Sequence, residues 1–441
     1  MKEKEYLEYI EYLNTLGSRP GLASITELCA SLSDPQEELK IIHIAGTNGK
    51  GSILAMLTEI LMAHGLTVGT YTSPAILDYR ERFCINKKMI TKKALGEYFS
   101  VLKEHNDALV SRGLPHPTSF ETETALAFLY FRDQKTDVCI IETGMGGRLD
   151  ATNIIKKPIL TVFASIGMDH MQFLGNSLEA IAKEKAGILK EGCPAVSSEQ
   201  DTRAKNVLFT EAGKLHCPIA FADSARRKDK AGTKPKFDYA IGETMYKNMT
   251  LSLIGTWQYQ NAMTVLEACH ALNEHCGYML ETERIRKALQ NVTWPARLEK
   301  IGTKPDFYID GAHNEPAALE LAKSIEQYFT NKQIIYIIGV LKDKDYEAVI
   351  EATYPYAEAV VTLKPPNNPR ALDAYTLAQV VSRYHKRVMN TDSIEEAVEM
   401  ARLLAGERKD VMILAFGSLS YLGRLREIVQ NEKGARKRPH G

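Results

Sequence analysis

The residues most able to do chemistry begin at Gly46-Thr47-Asn48-Gly49-Lys50-Gly51-Ser52. They follow an apolar run, Ile41 to Ala45, and precede Ile53, Leu54, Leu57, Ile60 and Leu61 at helical spacing. Strand, glycine-rich turn and helix N-terminus in that order make a phosphate-binding loop. The glycines let backbone N–H groups turn inward on phosphate oxygens, the helix N-terminus adds partial positive charge, and Lys50 adds a full one. Thr47, Asn48, Gly49, Lys50, Gly51 and Ser52 are therefore the expected nucleotide-phosphate ligands. Gly51 separates Lys50 from Ser52, whereas the common kinase and GTPase loop has its hydroxyl residue directly after the lysine. A tight glycine turn with a merely exposed lysine is the bland alternative, and the flanking strand and helix argue against it.

A second strand-end motif is Val138-Cys139-Ile140-Ile141 followed by Glu142-Thr143-Gly144-Met145-Gly146-Gly147-Arg148-Leu149-Asp150-Ala151-Thr152-Asn153. A carboxylate at the carboxyl end of a buried strand lies where parallel α/β sheets place ligands, so Glu142 is a candidate magnesium ligand. An acid there also caps neighbouring helices, and position alone leaves both roles open. A third strand leads to Asp169 and His170, which become site candidates by position. Leu178 to Ile188 reads as a helix ended by Gly187, and periodicity makes Lys185 an ordinary solvated lysine.

Positioning these residues requires strands that alternate with helices. Apolar runs recur at Ile41 to Ala45, Thr67 to Tyr71, Val138 to Ile141, Ile159 to Ala164, Phe307 to Ile309, Ile334 to Ile338, Val360 to Leu363 and Val411 to Phe416, each followed by a helical pattern. This predicts an α/β fold with parallel sheets covered on both faces. A length of 441 residues suits two domains. The joint is expected near Trp294-Pro295, dividing an ATP-binding domain, 1–295, from a smaller Rossmann-like α/β domain, 296–441. Ala225 to Pro235 is charged and aperiodic and reads as an exposed loop leading into short strands. The terminal Asn431 to Gly441 reads as an unstructured basic tail.

Lys plus Arg and Asp plus Glu number 55 each, so no net field draws the chain to nucleic acid or an anionic membrane. Small-molecule partners are expected. Seven scattered cysteines form no C-x-x-C pair, which argues against zinc ribbons and disulfide frameworks. The charged N-terminus lacks a signal-peptide core and no apolar run has transmembrane length, which predicts cytoplasmic residence.

Taken in order, these motifs resemble folylpolyglutamate synthase, including bacterial forms that also act as dihydrofolate synthase, within the Mur ligase superfamily. The resemblance spans about residues 5 to 425. It is carried by GTNGKGS at 46–52, YTSP at 71–74, SFE at 119–121, ETGMGGRLDATN at 142–153, GMDH at 167–170, EKAGI at 184–188, QYQNA at 258–262, WPARLE at 294–299, DGAHN at 310–314, KDKDY at 342–346 and FGSLSYLG at 416–423. It implies an ATP-binding P-loop domain of the Mur central type and a C-terminal ligase domain. It implies that Ser73, Glu142 and His170 coordinate magnesium, two ions in all, and that Lys185 is carbamylated, turning a cation into an oxygen-donor anion. It implies that Asn261 approaches adenine, Arg297 the phosphates and Asp310 the ribose, with Lys50, Lys185 and His170 catalytic. Thr118, Ser119, Phe120, Glu121, Leu149, Asp150 and Ala151 would surround the pterin, and His313 would serve the reacting substrate. Trp257, Ala75, Ala296 and Glu315-Pro316 depart from the family pattern without removing a metal or nucleotide ligand.

The implied reaction activates a folate carboxylate as an acyl phosphate at the expense of ATP, and the amine of L-glutamate then displaces phosphate. Reduced folates and dihydropteroate are the expected acceptors, with a monomer as the working form. Closure of the second domain, carrying Asp310 and His313 toward the phosphate loop, would shield the acyl phosphate from water. A P-loop kinase leaves EKAGI and DGAHN unexplained. A peptidoglycan Mur ligase carries a nucleotide-sugar domain that the 45 residues before Gly46 cannot hold. A non-enzymatic folate-binding protein would not need the metal and phosphate residues.

Overall fold

The structure is a computed structural model that describes residues 1–17, 19–230 and 234–435, without the side chains of 432–435. It divides into two compact units, Met1–Ser252 with Gln260–Val292, and Leu253–Tyr259 with Thr293–Gly441.

The first unit is built on eight strands: β1 Ile41–Ala45, β2 Val68–Tyr71, β3 Phe83–Ile85, β4 Lys88–Met89, β5 Val138–Glu142, β6 Leu160–Phe163, β7 Ala195–Ser197 and β8 Ile219–Phe221. Their order is β4-β3-β2-β5-β1-β6-β7-β8. The strands from β2 to β8 pair in parallel, and β3 and β4 add an antiparallel edge. Every residue of β1 and β5 is buried, as continuous apolar runs require when both sheet faces are covered. One face carries helices Glu3–Thr15, Ala23–Ser31, Lys92–Ser111 and Ser119–Asp133, packed through Tyr6, Leu28, Phe99 and Phe128. Helices Leu178–Ala186 and Thr202–Lys214 pack through Ile181 and Leu208 around Ala45 and Phe163. Helix Lys50–Ala63 is buried along most of its length, so its apolar residues are not confined to one stripe.

A small antiparallel sheet, β9 Arg227–Asp229, β10 Lys236–Ile241 and β11 Thr244–Thr250, follows. The expected loop at 225–235 is thus partly strand. Lys228 and Asp229 are exposed, so an edge strand here leaves no apolar signature. Residues 231–233 of that stretch lie outside the described residues.

The second unit holds β12 Glu299–Gly302, β13 Asp306–Ile309, β14 Gln333–Ile338, β15 Ala357–Leu363, β16 Val388–Thr391 and β17 Val411–Phe416, in the order β12-β13-β17-β14-β15-β16. Only β12 is antiparallel. Helices Glu315–Tyr328, Tyr346–Thr353, Ala374–Val381 and Ile394–Ala405 connect the successive strands from β13 to β17. The last helix, Leu419–Ala435, runs past Asn431 into the segment expected to be unstructured, and residues 436–441 lie outside the described residues. No helix among the described residues is long and apolar enough to cross a membrane.

Candidate active site

The strand β1 delivers the chain to Gly46, whose φ of +152° and tight approach leave no room for a side chain: a Cβ would lie 2.6 Å from that of Ala164. Gly49, at φ +96°, is the N-cap of helix Lys50–Ala63, and a Cβ there would lie 2.4 Å from Asn261 Oδ1. Asn261 is itself buried, so the loop is shaped from above as well as by its own backbone. The amides of Thr47 and Asn48 donate to Ser165 O at 2.8 and 3.2 Å, fastening the loop to the segment after β6. Thr47 Oγ1 lies 3.0 Å from both the amide and the carbonyl of Gly167. Lys50 Nζ donates back to Gly46 O at 3.0 Å and Thr47 O at 3.3 Å, and stands 3.8 Å from Glu142 Oε1.

Glu142 is the buried last residue of β5, paired in register with Ile44 of β1. Lys185 joins it from helix Leu178–Ala186. Its side chain is 4% exposed and donates from Nζ to Gly46 O at 2.8 Å. Burial pushes its pKa down to about 7, and the charge of Lys50 acts in the same sense, against Asp169 and Asp150. The solvated lysine that periodicity suggests is therefore absent, because the turn after Glu142 docks on this helix. Arg148 N donates to Glu184 O at 2.7 Å, and a Cβ on Gly147 would lie 2.8 Å from Lys185 O. Lys50, Glu142 and Lys185 thus converge around Gly46. Ser73, joined to Pro74 by a cis peptide, follows β2, and His170 lies beyond β6, both partly or wholly exposed. His170 has φ +51°, and its Nε2 lies 3.9 Å from Asp169 Oδ2. Among the described residues, no three His, Cys, Asp or Glu side chains are grouped to hold a metal ion.

The segments expected around the pterin have well-defined local roles. Thr118 and Glu121 form a capping box: Glu121 Oε2 accepts from Thr118 N and Oγ1 at 2.8 and 2.7 Å, and starts helix Ser119–Asp133. Phe120 lies against Gly144, where a Cβ would approach its ring to 2.5 Å, and its ring centroid is 5.9 Å from that of Tyr71. Ser119 donates to Glu123 at 3.2 Å. Leu149 is exposed, Asp150 is buried, and Ala151 opens a short 3-10 turn. Asp150 accepts from Met145 N at 2.8 Å, Thr152 N at 3.1 Å and Thr152 Oγ1 at 2.6 Å, and burial raises its pKa. Sequence reasoning missed a buried group next to these residues. Glu123 pairs with Arg82 at 2.5 Å and accepts from Tyr79 Oη at 2.7 Å. Residues 41 positions apart leave no spacing signal, and each lies among other charged or polar residues, so nothing in the sequence marks the pair.

In the second unit Asp310 ends the run of β13 and is buried. Its oxygens accept from Leu298 N at 2.9 Å and Ala312 N at 2.8 Å. Burial raises its pKa, and the neighbouring Arg297 guanidinium opposes that rise. A Cβ on Gly311 would lie 2.7 Å from Arg297 Nη1, so this glycine admits the arginine beside Asp310. His313 Nδ1 is 2.8 Å from Gly311 O, and Asn314 caps helix Glu315–Tyr328 by accepting from Ala317 N at 3.0 Å.

Comparisons with known proteins give the class first. Residues 44–269 match the family described as Mur ligase middle domain, and residues 296–419 that described as Mur ligase, glutamate ligase domain. The chain is an ATP-dependent, ADP-forming ligase of the Mur type, as its fold and phosphate loop indicate. It is 36% identical over 417 residues to the dihydrofolate synthase/folylpolyglutamate synthase of Bacillus subtilis, covering 93% of this chain and 95% of the relative. Mycobacterium tuberculosis folylpolyglutamate synthase complexed with ADP and AMPPCP has the same fold, with a TM-score of 0.88, 30% identity and 100% of both chains covered. E. coli FolC in complex with DHPP and ADP superposes with a TM-score of 0.85 at 26% identity, covering 98% of this chain and 99% of that one. The chain belongs to the folylpolyglutamate synthase and dihydrofolate synthase family.

Proposed function

We propose that the chain uses ATP to join L-glutamate to the γ-carboxylate of tetrahydrofolate and its glutamylated forms, and also to dihydropteroate. The observation that carries the reading is the convergence of Lys50, Glu142 and buried Lys185 on Gly46 of the phosphate loop. Thr47 to Ser52 hold the nucleotide phosphates, Asn261 approaches adenine, and Arg297 and Asp310 approach phosphate and ribose. Both Asp310 oxygens keep a lone pair beyond the amide each accepts. Lys50, which reaches loop carbonyls here, turns its three donors to phosphate oxygens when they fill the loop. The folate carboxylate attacks the γ-phosphorus to give an acyl phosphate and ADP, and glutamate nitrogen attacks the acyl carbon and expels phosphate. His313, with Nδ1 donating to Gly311 O, presents Nε2 as an acceptor to the reacting groups. The chain acts as a monomer on small molecules in the reducing cytoplasm.

The charges around Gly46 bear on magnesium. With Lys185 unmodified, the amino groups of Lys50 and Lys185 both reach Gly46 O, and when protonated they oppose a divalent cation there. Attack of neutral Lys185 Nζ on carbon dioxide forms an N–C bond, releases one proton and replaces the ammonium by an anion. Its lowered pKa supplies the neutral amine. Carbamylated Lys185 with Glu142, Ser73 and His170 then makes an oxygen-rich set suited to a hard cation. Magnesium bound by these residues would supply charge neutralisation to the phosphate being transferred. Lys185→Ala and Lys185→Arg are both expected to be nearly inactive, because a guanidinium keeps its charge and forms no carbamate. Labelled bicarbonate should give a carbamate carbon resonance on the wild type that Lys185→Arg lacks. An active Lys185→Arg enzyme would sink the carbamate. Mass spectrometry of products from tetrahydrofolate and dihydropteroate, each with ATP and glutamate, tests the acceptors; transfer to neither refutes the function.

A further inference from the structure

His43 takes no part in the chemistry above, yet it is a fully buried histidine in the centre of β1, three positions before Gly46. An imidazole in an otherwise apolar strand costs stability unless it is hydrogen-bonded. Its Nε2 lies 2.8 Å from Thr152 Oγ1. Thr152 Oγ1 in turn lies 2.6 Å from Asp150 Oδ1, and Asp150 Oδ2 accepts from Met145 N at 2.8 Å. The chain of bonds thus runs from the middle of the sheet to the glycine-rich turn that follows Glu142.

The direction of each bond follows from the donors present. Two backbone N–H groups, of Met145 and Thr152, already point at Asp150, so its oxygens act as acceptors. The Thr152 hydroxyl therefore gives its single hydrogen to Asp150 and accepts from His43 Nε2–H. Nδ1 then carries the lone pair, and it is the one polar atom of the ring without a hydrogen-bond partner among the described residues. An unsatisfied lone pair is a smaller loss than an unsatisfied N–H. Burial also pushes the His43 pKa down to about 3, in keeping with a permanently neutral ring.

We propose that His43 is a positioning residue for the folate end of the site: through Thr152 it fixes the Asp150 carboxylate and the Met145–Asp150 turn in the orientation that receives the pterin. This rests on the reading that Leu149, Asp150 and Ala151 face the folate. None of the residues in this chain of bonds belongs to the phosphate loop, so loss of His43 should be felt more in folate recognition than in phosphate transfer, although the turn it fixes also packs on the helix of Lys185.

The experiment measures KM and kcat for tetrahydrofolate, ATP and glutamate, and thermal stability, in His43→Leu, His43→Gln, Thr152→Val, the double variant His43→Leu/Thr152→Val, and Asp150→Asn. Losing a buried bond that orients a carboxylate should raise the folate KM about tenfold in His43→Leu and in Thr152→Val. ATP KM and kcat should stay within about twofold of wild type in both, since neither group lies on the phosphate path. The double variant should be no worse than the more severe single one, as expected for members of one chain. His43→Gln, whose side-chain amide can place an N–H near the position of Nε2, should recover most of the folate affinity. An unchanged folate KM in His43→Leu with a lowered melting temperature would overturn the proposal and leave His43 a packing residue. Parallel rises in folate and ATP KM would overturn it as well. Asp150→Asn separates the two readings. If it raises the folate KM and His43→Leu does not, only the positioning role fails. If Asp150→Asn itself leaves the folate KM unchanged, the folate-facing reading on which the proposal rests fails with it.

Discussion

Two sharply bent turns lie at the candidate sites of the two units, and they are held by different buried side chains, a lysine in one and an aspartate in the other. In the first unit the turn after β1 directs the Gly46 carbonyl at the buried Nζ of Lys185, and takes its unusual backbone angles at Gly46 and Gly49. In the second, the turn before β12 takes left-handed angles at Ala296, φ +52°, and Leu298, φ +42°, both buried non-glycine residues. There the buried Asp310 carboxylate accepts the Leu298 amide, and Gly311 N donates to Ala296 O at 2.9 Å. A turn made from glycine needs little outside force to persist, whereas left-handed non-glycine residues persist only when surrounding structure over-determines them. The first turn is therefore vulnerable to an added side chain, and the second to loss of its anchor.

The largest effect expected from this contrast is at Gly49→Ala. Its Cβ would fall 2.4 Å from Asn261 Oδ1 at a φ of +96°, so both the loop and the residue over it must shift. A displacement of the loop amides by a fraction of an ångström should cost at least about 100-fold in kcat/KM for ATP. Steady-state kinetics at varied ATP check this, and near-normal turnover would show that Gly49 does not shape the phosphate site.

Asp310→Ala should come next. It leaves the Leu298 and Ala312 amides without acceptors inside a buried turn, at about 1–3 kcal/mol for each unsatisfied group. Denaturant unfolding is the measurement, and a loss below about 1 kcal/mol would mean that the strained turn has another anchor.

How far the sequence revealed the two turns follows from the same contrast. GTNGKGS was legible because glycines, a lysine and an adjoining apolar strand announce their geometry directly. Glu142 and the eight long strand cores were legible for the same local reason. The strain at Ala296 and Leu298 was not, because it is imposed by a carboxylate twelve or more positions away. The chain from His43 to Asp150 was hidden similarly, since it joins residues 109 apart that only the sheet brings together. The short strands β12 and β16 escaped notice because polar residues break their apolar run, and β8 because its run of Ile219, Ala220 and Phe221 is only three residues long.

The lysine and the aspartate also give opposite pH dependences. Lys185 in its amine form has a folded pKa lowered from 10.5 to about 7. Between these values the unfolded chain binds more protons than the folded one, so stability falls as pH falls from 10.5 to about 7, by up to about 1.4 kcal/mol per pH unit. Asp310 has a raised folded pKa, so its contribution is fully present below the ordinary carboxylate range and is lost as pH rises through the folded value. Unfolding of carbon dioxide-free protein across the alkaline window should show the slope in wild type and not in Lys185→Met. An unchanged slope in that variant would place the titration elsewhere.

The smallest effect expected is at Ala296→Gly, and its size is what makes it informative. Glycine relieves a left-handed alanine of about 1 kcal/mol. It also removes a fully buried methyl, worth about 0.8 kcal/mol, and adds about 0.5–1 kcal/mol of unfolded-state freedom. These contributions nearly cancel, leaving a change within about 1 kcal/mol in either direction. The Glu299 carboxylate accepts the Ala296 amide at 3.0 Å and the Gly311 amide reaches its carbonyl; both bonds use only backbone atoms of residue 296, so both survive the change. Arg297 should keep its place beside Asp310, and the ATP KM should stay within about twofold, a difference worth about 0.4 kcal/mol. A large loss of ATP affinity with unaltered stability would show that the alanine methyl, and not the Asp310 anchor, holds Arg297 in position.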